Sequence, residues 1–321
     1  MTQGTTRITD KTSPAPDPTR REFIASACAV SAAPALGAAA APAEQAQLPQ
    51  MPFGRYQISR LICGANCFNA GSHLSVFVNE EMRRYYTVEQ KLKTLRRCQE
   101  VGINCFQSSG GDWQLYRMFV DSGGQMHYIS LGEDFYRGTV PIETIAKSGC
   151  IAIAHHGEAT DQLFKEGRFE RVGDYLKRVK DAGLMAGVST HMPAVVDAVE
   201  SKGWDVDFYM TCVYERHRTP AELTALLGRA IIPDREVYLV DDPPRMFRAM
   251  RQTKRPCLAF KILAAGRLSE RKQWVEQAFR ETFESIKPND GVIVGIYDKF
   301  SDQPAEDAEY VRRFAPLSRP A

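Results

Sequence analysis

Three consecutive stretches decide the fold: CIAIAHH (150–156), RFERVGDYLKRVKDAG (168–183) and LMAGVSTH (184–191). The first is a short apolar run, and strand side chains alternate between two faces. Ala152, Ala154 and His156 therefore share one face, and Ile151, Ile153 and His155 share the other. The second stretch repeats its apolar residues at helical spacing and stops at Gly183, as a helix followed by a glycine does. The third reads as another strand. Strand, helix and strand in this order form the unit of a parallel sheet.

The same alternation extends in both directions. RYQISRLICGA (55–65), INCFQSS (103–109), HYISLGED (127–134), DVDFYMTCVY (205–214), CLAFKI (257–262) and GVIVGIY (291–297) read as the remaining strands. Helical patterns such as TVEQKLKTLRRCQEVG (87–102), PIETIAKSG (141–149) and DQPAEDAEYVRRF (302–314) lie between or after them. Eight strands with intervening helices predict an α/β fold, a closed (β/α)8 TIM barrel. An open doubly wound sheet usually carries a G-x-G-x-x-G fingerprint after its first strand. CGANCFNAG (63–71) has no such fingerprint.

The barrel is expected over 55–321, with an insertion at about 215–244. The N-terminus reads differently. TRREFIASACAVSAAPALGAAAAPA (19–43) joins Arg20 and Arg21 to an alanine-rich run and a small-residue cleavage point. That is the order of a signal peptide, and the paired arginines fit the twin-arginine export route. Residues 1–43 are expected as the signal, 44–54 as a linker, and the mature chain as periplasmic or secreted. The partners implied are the twin-arginine export machinery and a small-molecule substrate.

The chain of 321 residues carries a net charge of +2, with 44% hydrophobic residues. It has no basic patch that would argue for nucleic acid. No later segment reaches the roughly 18 apolar residues of a membrane helix. Cys63, Cys67, Cys98, Cys105, Cys150, Cys212 and Cys257 lie beyond the signal. Seven is odd, and most sit in or beside apolar strands, so buried free thiols are expected.

GINCFQSS, IAHHG, DAGLMAGVSTHMPAVVDAV, DVDFYMTCVY, AFKILAAGRLS and DGVIVGIYDKFSDQPAEDAEYV resemble, in order and spacing, the aldo/keto reductase family. The resemblance implies a (β/α)8 barrel and, in ordinary members, NADPH-linked carbonyl reduction by an Asp, Tyr, Lys and His tetrad. Here Gln107 stands at the Asp position, Asp112 or Trp113 at the Tyr position, and Gly132 or Glu133 at the Lys position. His156 matches the histidine and is followed by Gly157. Without the tyrosine and lysine, a carbonyl oxygen has no obvious proton source. An exported enzyme also meets no pool of NADPH.

Barrel active sites lie at the C-terminal ends of the strands. Those ends carry Asn66 and Asn69, Gln107, Glu133, His156, His191, Glu215 with His217, Lys261, and Asp298 with Lys299. Glu133, His156, His191 and Glu215, from four consecutive strands, are the residue types that hold a divalent metal such as Mn, Zn or Fe. Such a metal can polarise a carbonyl or enediolate oxygen. The catalytic candidates are His156, Lys261 and Gln107, with Lys261 moving a proton. The set predicts non-redox, metal-assisted proton abstraction on a carbohydrate-like substrate, as in an epimerase, isomerase or lyase. Two alternatives stand beside it: an NADP-dependent oxidoreductase with an altered site, and a non-catalytic binding protein.

Overall fold

A computed structural model describes residues 47–133, 139–229 and 236–315. Strands β1 (Gln50–Phe53) and β2 (Tyr56–Ser59) pair as an antiparallel hairpin. The next eight strands close a parallel barrel: β3 (Leu61–Gly64), β4 (Cys105–Ser109), β5 (His127–Gly132), β6 (Ala152–His155), β7 (Met185–Thr190), β8 (Phe208–Cys212), β9 (Cys257–Phe260) and β10 (Gly291–Gly295). β10 pairs with β3 to complete the ring.

The alternation along each strand divides the core in two. Ile62, Cys105, Ile129, Ala152, Ala154, Phe208, Met210, Leu258 and Ile293 pack together with the hairpin residues Met51, Phe53 and Ile58. Ile153, Val188, Tyr209 and Val294 belong to the larger cluster that includes the helices. The hairpin runs straight into β3, so it lies across the N-terminal ends of the strands and closes that end of the barrel. Phe53 meets Phe208 edge-on with ring centroids 4.9 Å apart.

This corrects two expectations. Residues 50–53, read as linker, form β1, because Met51 and Phe53 supply side chains that fill the barrel end. The stretch 55–65, read as one strand, is two strands separated by a bend at Arg60. The Arg60 guanidinium is fully buried. Its Nε donates to the Asp290 carbonyl at 2.8 Å and Nη2 to the Lys287 carbonyl at 3.1 Å. Burial lowers its pKa to about 10. Phe53→Ala should cost about 3–5 kcal/mol, read as a lowered midpoint in urea unfolding.

The insertion contains a helix, Pro220–Leu227, started by a capping box in which Thr219 and Glu222 satisfy each other's backbone donors. Its residues 230–235 lie outside the described residues. The proposed signal peptide, with its paired arginines and Cys28, also lies outside them. Among the described residues no helix is long and apolar enough to cross a membrane. The seven cysteines expected as free thiols are free, and all but Cys67 are buried.

Candidate metal centre at the barrel mouth

β6 ends at His155, and the chain turns at His156 into the helix Gly157–Lys165. His155 packs on the helix side: it is 2% exposed, its Nδ1 lies 2.7 Å from Thr160 Oγ1, and its ring stands edge-on to Tyr175. Glu158 and Asp161 are three residues apart on the new helix, so they share a face. Gly157 allows that helix to start close to β7. A Cβ there would come within 3.0 Å of both His191 Cε1 and Ser189 Oγ.

Asp161 organises the end of β7. Its Oδ1 accepts from Thr190 Oγ1 at 2.5 Å. Its Oδ2 accepts from the His191 backbone N–H at 3.0 Å and lies 2.8 Å from His191 Nδ1. The loop after β8 then brings in His217. His217 Nε2 lies 3.1 Å from His191 Nδ1, 3.3 Å from Glu158 Oε2 and 3.4 Å from Asp161 Oδ2.

Glu158, His191 and His217 each offer a ligand atom, and these atoms lie within 4.8 Å of one another. A tetrahedral metal with bonds of about 2.0–2.1 Å has ligand–ligand edges of about 3.3 Å. The 3.3 Å contact of His217 with Glu158 matches that spacing; His191 Nδ1 is held by Asp161, so Nε2 is the nitrogen His191 would offer. Protonation suits it too. Burial, followed by the nearby Arg216 and Lys261 charges, holds His191 well below the usual histidine range. Burial and His191 bring His217 down to about 3. Both rings are therefore neutral near pH 7, the form in which imidazole binds a metal. Asp161 is pushed up to about 6 by burial, against the pull of Thr190 and His217, and remains mostly ionised at neutral pH.

Because a carboxylate that orients a ligand histidine tunes its basicity, Asp161→Asn should weaken metal binding by about 10–100-fold. Competition titration with a chromophoric chelator measures it.

Around this group lies a second layer of charge. Arg216 Nη1 is 3.3 Å from Glu158 Oε2 and 3.3 Å from His191 Nε2, and Nη2 is 2.5 Å from Glu236 Oε1. Glu236 also meets His73 Nδ1 at 2.9 Å and the Tyr238 hydroxyl at 2.5 Å. Burial would raise the Glu236 carboxyl, but the His73 hydrogen bond and the Lys261 and Arg216 charges hold it below the usual range. Glu236 and Tyr238 come from the insertion after β8, so that excursion folds back onto the mouth.

Lys261 follows β9 with a left-handed φ of 61°. Its Nζ is shielded from solvent and has no hydrogen-bond partner among the described residues. Burial lowers it to about 8; Cys212 and Glu236 oppose the shift, and Arg216 and Arg267 assist it.

Of the sequence-predicted metal set, His191 is in the group. His156 stands at the start of the helix that carries Glu158, near enough to act on His191 electrostatically. Glu133 and Glu215 are elsewhere. Glu133 lines a cavity of about 530 Å³ with His155, Tyr175 and Arg171, on the helix side of β6. Glu215 Oε2 accepts from Arg218 at 3.0 Å and Arg245 at 2.5 Å, in a rim network shared with Asp242. Among the described residues, no three of the predicted four gather within ligand reach. Gln107 is 8% exposed, and its Nε2 donates to the Ser108 carbonyl at 3.1 Å. Glu158 and Asp161 were not singled out from sequence. Their three-residue spacing directly after HHG was the available signal.

The residues do not fit hydride transfer from a nicotinamide. Asp112, which with Trp113 stands where the resemblance would put a tyrosine, is held by Asn69 Nδ2 at 2.6 Å. The hydroxyls of Tyr85 and Tyr86 donate to Asp298 at 3.2 and 3.0 Å. Burial and Asp298 push Tyr85 up to about 12 and Tyr86 further. A proton-donating tyrosine needs the opposite shift.

No family model matches the chain, and no curated protein matches it in sequence. Solved structures do. A Pseudomonas aeruginosa protein assigned to the aldo-keto reductases is 15% identical, with a TM-score of 0.55, covering 86% of this chain and 99% of that one. A glycerol dehydrogenase from Gluconobacter oxydans is 12% identical, with a TM-score of 0.45 and coverage of 85% and 97%. The 3-deoxy-D-arabino-heptulosonate 7-phosphate synthase of Thermotoga maritima is also 12% identical, with a TM-score of 0.47 and coverage of 83% and 91%. The first of these likenesses is one of fold: the chain closes the same kind of (β/α)8 barrel.

Proposed function

We propose that this protein is an exported barrel enzyme that binds a divalent metal through Glu158, His191 and His217. It uses the metal for non-redox proton abstraction on a sugar-like substrate. The observation that carries the reading is the convergence of those three side chains at the C-terminal end of the barrel, where barrel enzymes do their chemistry. Two neutral imidazoles and one carboxylate suit Mn, Zn or Fe. Three protein ligands leave a coordination position for substrate oxygen.

When bound, the metal supplies Lewis-acid stabilisation of a developing enediolate. The chain's own residues do the rest. Asp161 fixes the His191 ring. Arg216 positions Glu158. Lys261, shielded from water, has a neutral amine within reach of physiological pH and takes the proton from carbon. If the intermediate turns its other face to the Lys261 ammonium, return of the proton gives epimerisation; passing that proton to a neighbouring hydroxyl, which leaves as water, gives elimination. Twin-arginine export of a folded chain is consistent with metal loading before export.

Elemental analysis of the untagged mature protein, purified without chelator, tests the reading. About one equivalent of Mn, Zn or Fe per chain is expected. Protein that holds no such metal, and takes none up on dialysis, sinks it.

A further inference from the structure

Arg216 is committed on two of its three nitrogens. Nη1 faces Glu158 and His191, and Nη2 faces Glu236. Its Nε is shielded from solvent and has no acceptor among the described residues. Lys261 Nζ is in the same condition, and the two cations are close enough to act on each other. Buried donors are normally satisfied. The repulsion favours the neutral amine of Lys261, whereas the Arg216 guanidinium keeps its charge, so its shielded, unanswered Nε–H points to an acceptor that arrives with the substrate.

The charge balance says which kind. Of the three ligands only Glu158 brings charge to a bound metal, since imidazole ligates in its neutral form. A divalent cation held by them keeps excess positive charge. Asp161 is occupied by Thr190 and His191, and Glu236 by Arg216, His73 and Tyr238. Neither offers an oxygen to Arg216 Nε.

Resting on the metal-dependent reading above, we infer that the substrate is a polyhydroxy carboxylic acid whose carboxylate bridges the metal and Arg216 Nε. One carboxylate oxygen would accept the Arg216 Nε–H, and a metal held by Glu158, His191 and His217 would offset the charge of the other. Charge-assisted bonds of this type are the stronger ones. A carboxylate leaves Lys261 Nζ free to take the proton, whereas the third oxygen of a phosphate ester would engage that amine and hold it as the ammonium. The reaction then has a defined place. The C–H bond next to the carboxylate breaks, its electron pair enters the C=C bond of the enediolate, and the proton passes to neutral Lys261 Nζ. Metal and guanidinium share the charge that builds on the two oxygens.

Calorimetric titration of the Mn²⁺-loaded protein with D-gluconate, D-glucitol and glucose 6-phosphate tests the assignment, with bound Mn²⁺ measured in each sample. Gluconate should bind at least about tenfold more tightly than glucitol, which has the same hydroxyl-bearing chain but no charge. Arg216→Lys keeps the charge but lacks Nε. It should bring the gluconate-to-glucitol affinity ratio, measured on the same variant and at the same Mn²⁺ content, close to one. Equal binding of gluconate and glucitol, a preference that survives Arg216→Lys, or tighter binding of glucose 6-phosphate each overturns the inference. Absence of Mn²⁺ from the protein defeats the metal reading instead. The metal-free titration then still decides the role of Arg216, because Nε should favour gluconate over glucitol without the metal.

Discussion

Replacing Lys261 by methionine lowers turnover by about 10²–10⁴-fold, the usual contribution of a positioned acid or base, and at the same time raises the melting temperature. The two effects have one cause. Nζ is shielded and unpartnered, so the ammonium is disfavoured in the folded chain and its pKa falls from 10.5 to about 8. A lysine whose folded pKa lies below its unfolded value penalises folding wherever the unfolded chain is protonated. The penalty is absent above about pH 10.5, grows as pH falls towards 8, and is constant below that. A shift of this size corresponds to an order of about 3 kcal/mol. Methionine fills similar space without the charge. Wild type and Lys261→Met should therefore differ by several degrees at pH 7, at about 2–4 °C per kcal/mol for a chain of this size, and converge as pH approaches 10. Calorimetric scans across that range check the sign. A wild-type protein that is the more stable of the two at pH 7 contradicts it.

His217→Ala reduces metal affinity by at least about 100-fold, more than loss of an orienting group does, and Glu158→Gln does the same. Glu133→Gln leaves metal content unchanged. Glu215→Gln also keeps the metal but disturbs the rim, where it pairs with Arg218 and Arg245; partly exposed pairs are worth about 0–1 kcal/mol each. Metal analysis of these four variants after parallel purification separates the set found in three dimensions from the set expected along the chain. Metal loss in Glu215→Gln with retention in His217→Ala would reverse the assignment.

The difference between those sets shows where sequence reading stops. A strand's period of two told His155 from His156: Ile153 and His155 pack with the helices, and Ala152 and Ala154 point into the barrel. Strand order and closure were likewise legible, because eight apolar runs separated by amphipathic helices have few ways to pack. Counting one ligand per strand end does not bring Glu133 and Glu215 to the group, because Glu133 lines the helix side of β6 and Glu215 pairs on the rim. Glu158 and Asp161 stand on the first turns of a helix, and their direction depends on how Gly157 lets that helix approach β7.

The sequence alone determined the parallel barrel and the opposite sides of β6 taken by His155 and by Ala152 and Ala154. These follow from local periodicity and residue identity. The tertiary structure decided that β1 and β2 close the N-terminal end, that His217 rather than Glu215 meets His191, and that Arg216 Nε and Lys261 Nζ are left without acceptors among the described residues. Those outcomes depend on loops of irregular backbone folding back over the mouth. Their side-chain directions are set by packing against distant strands, not by any repeat in the chain.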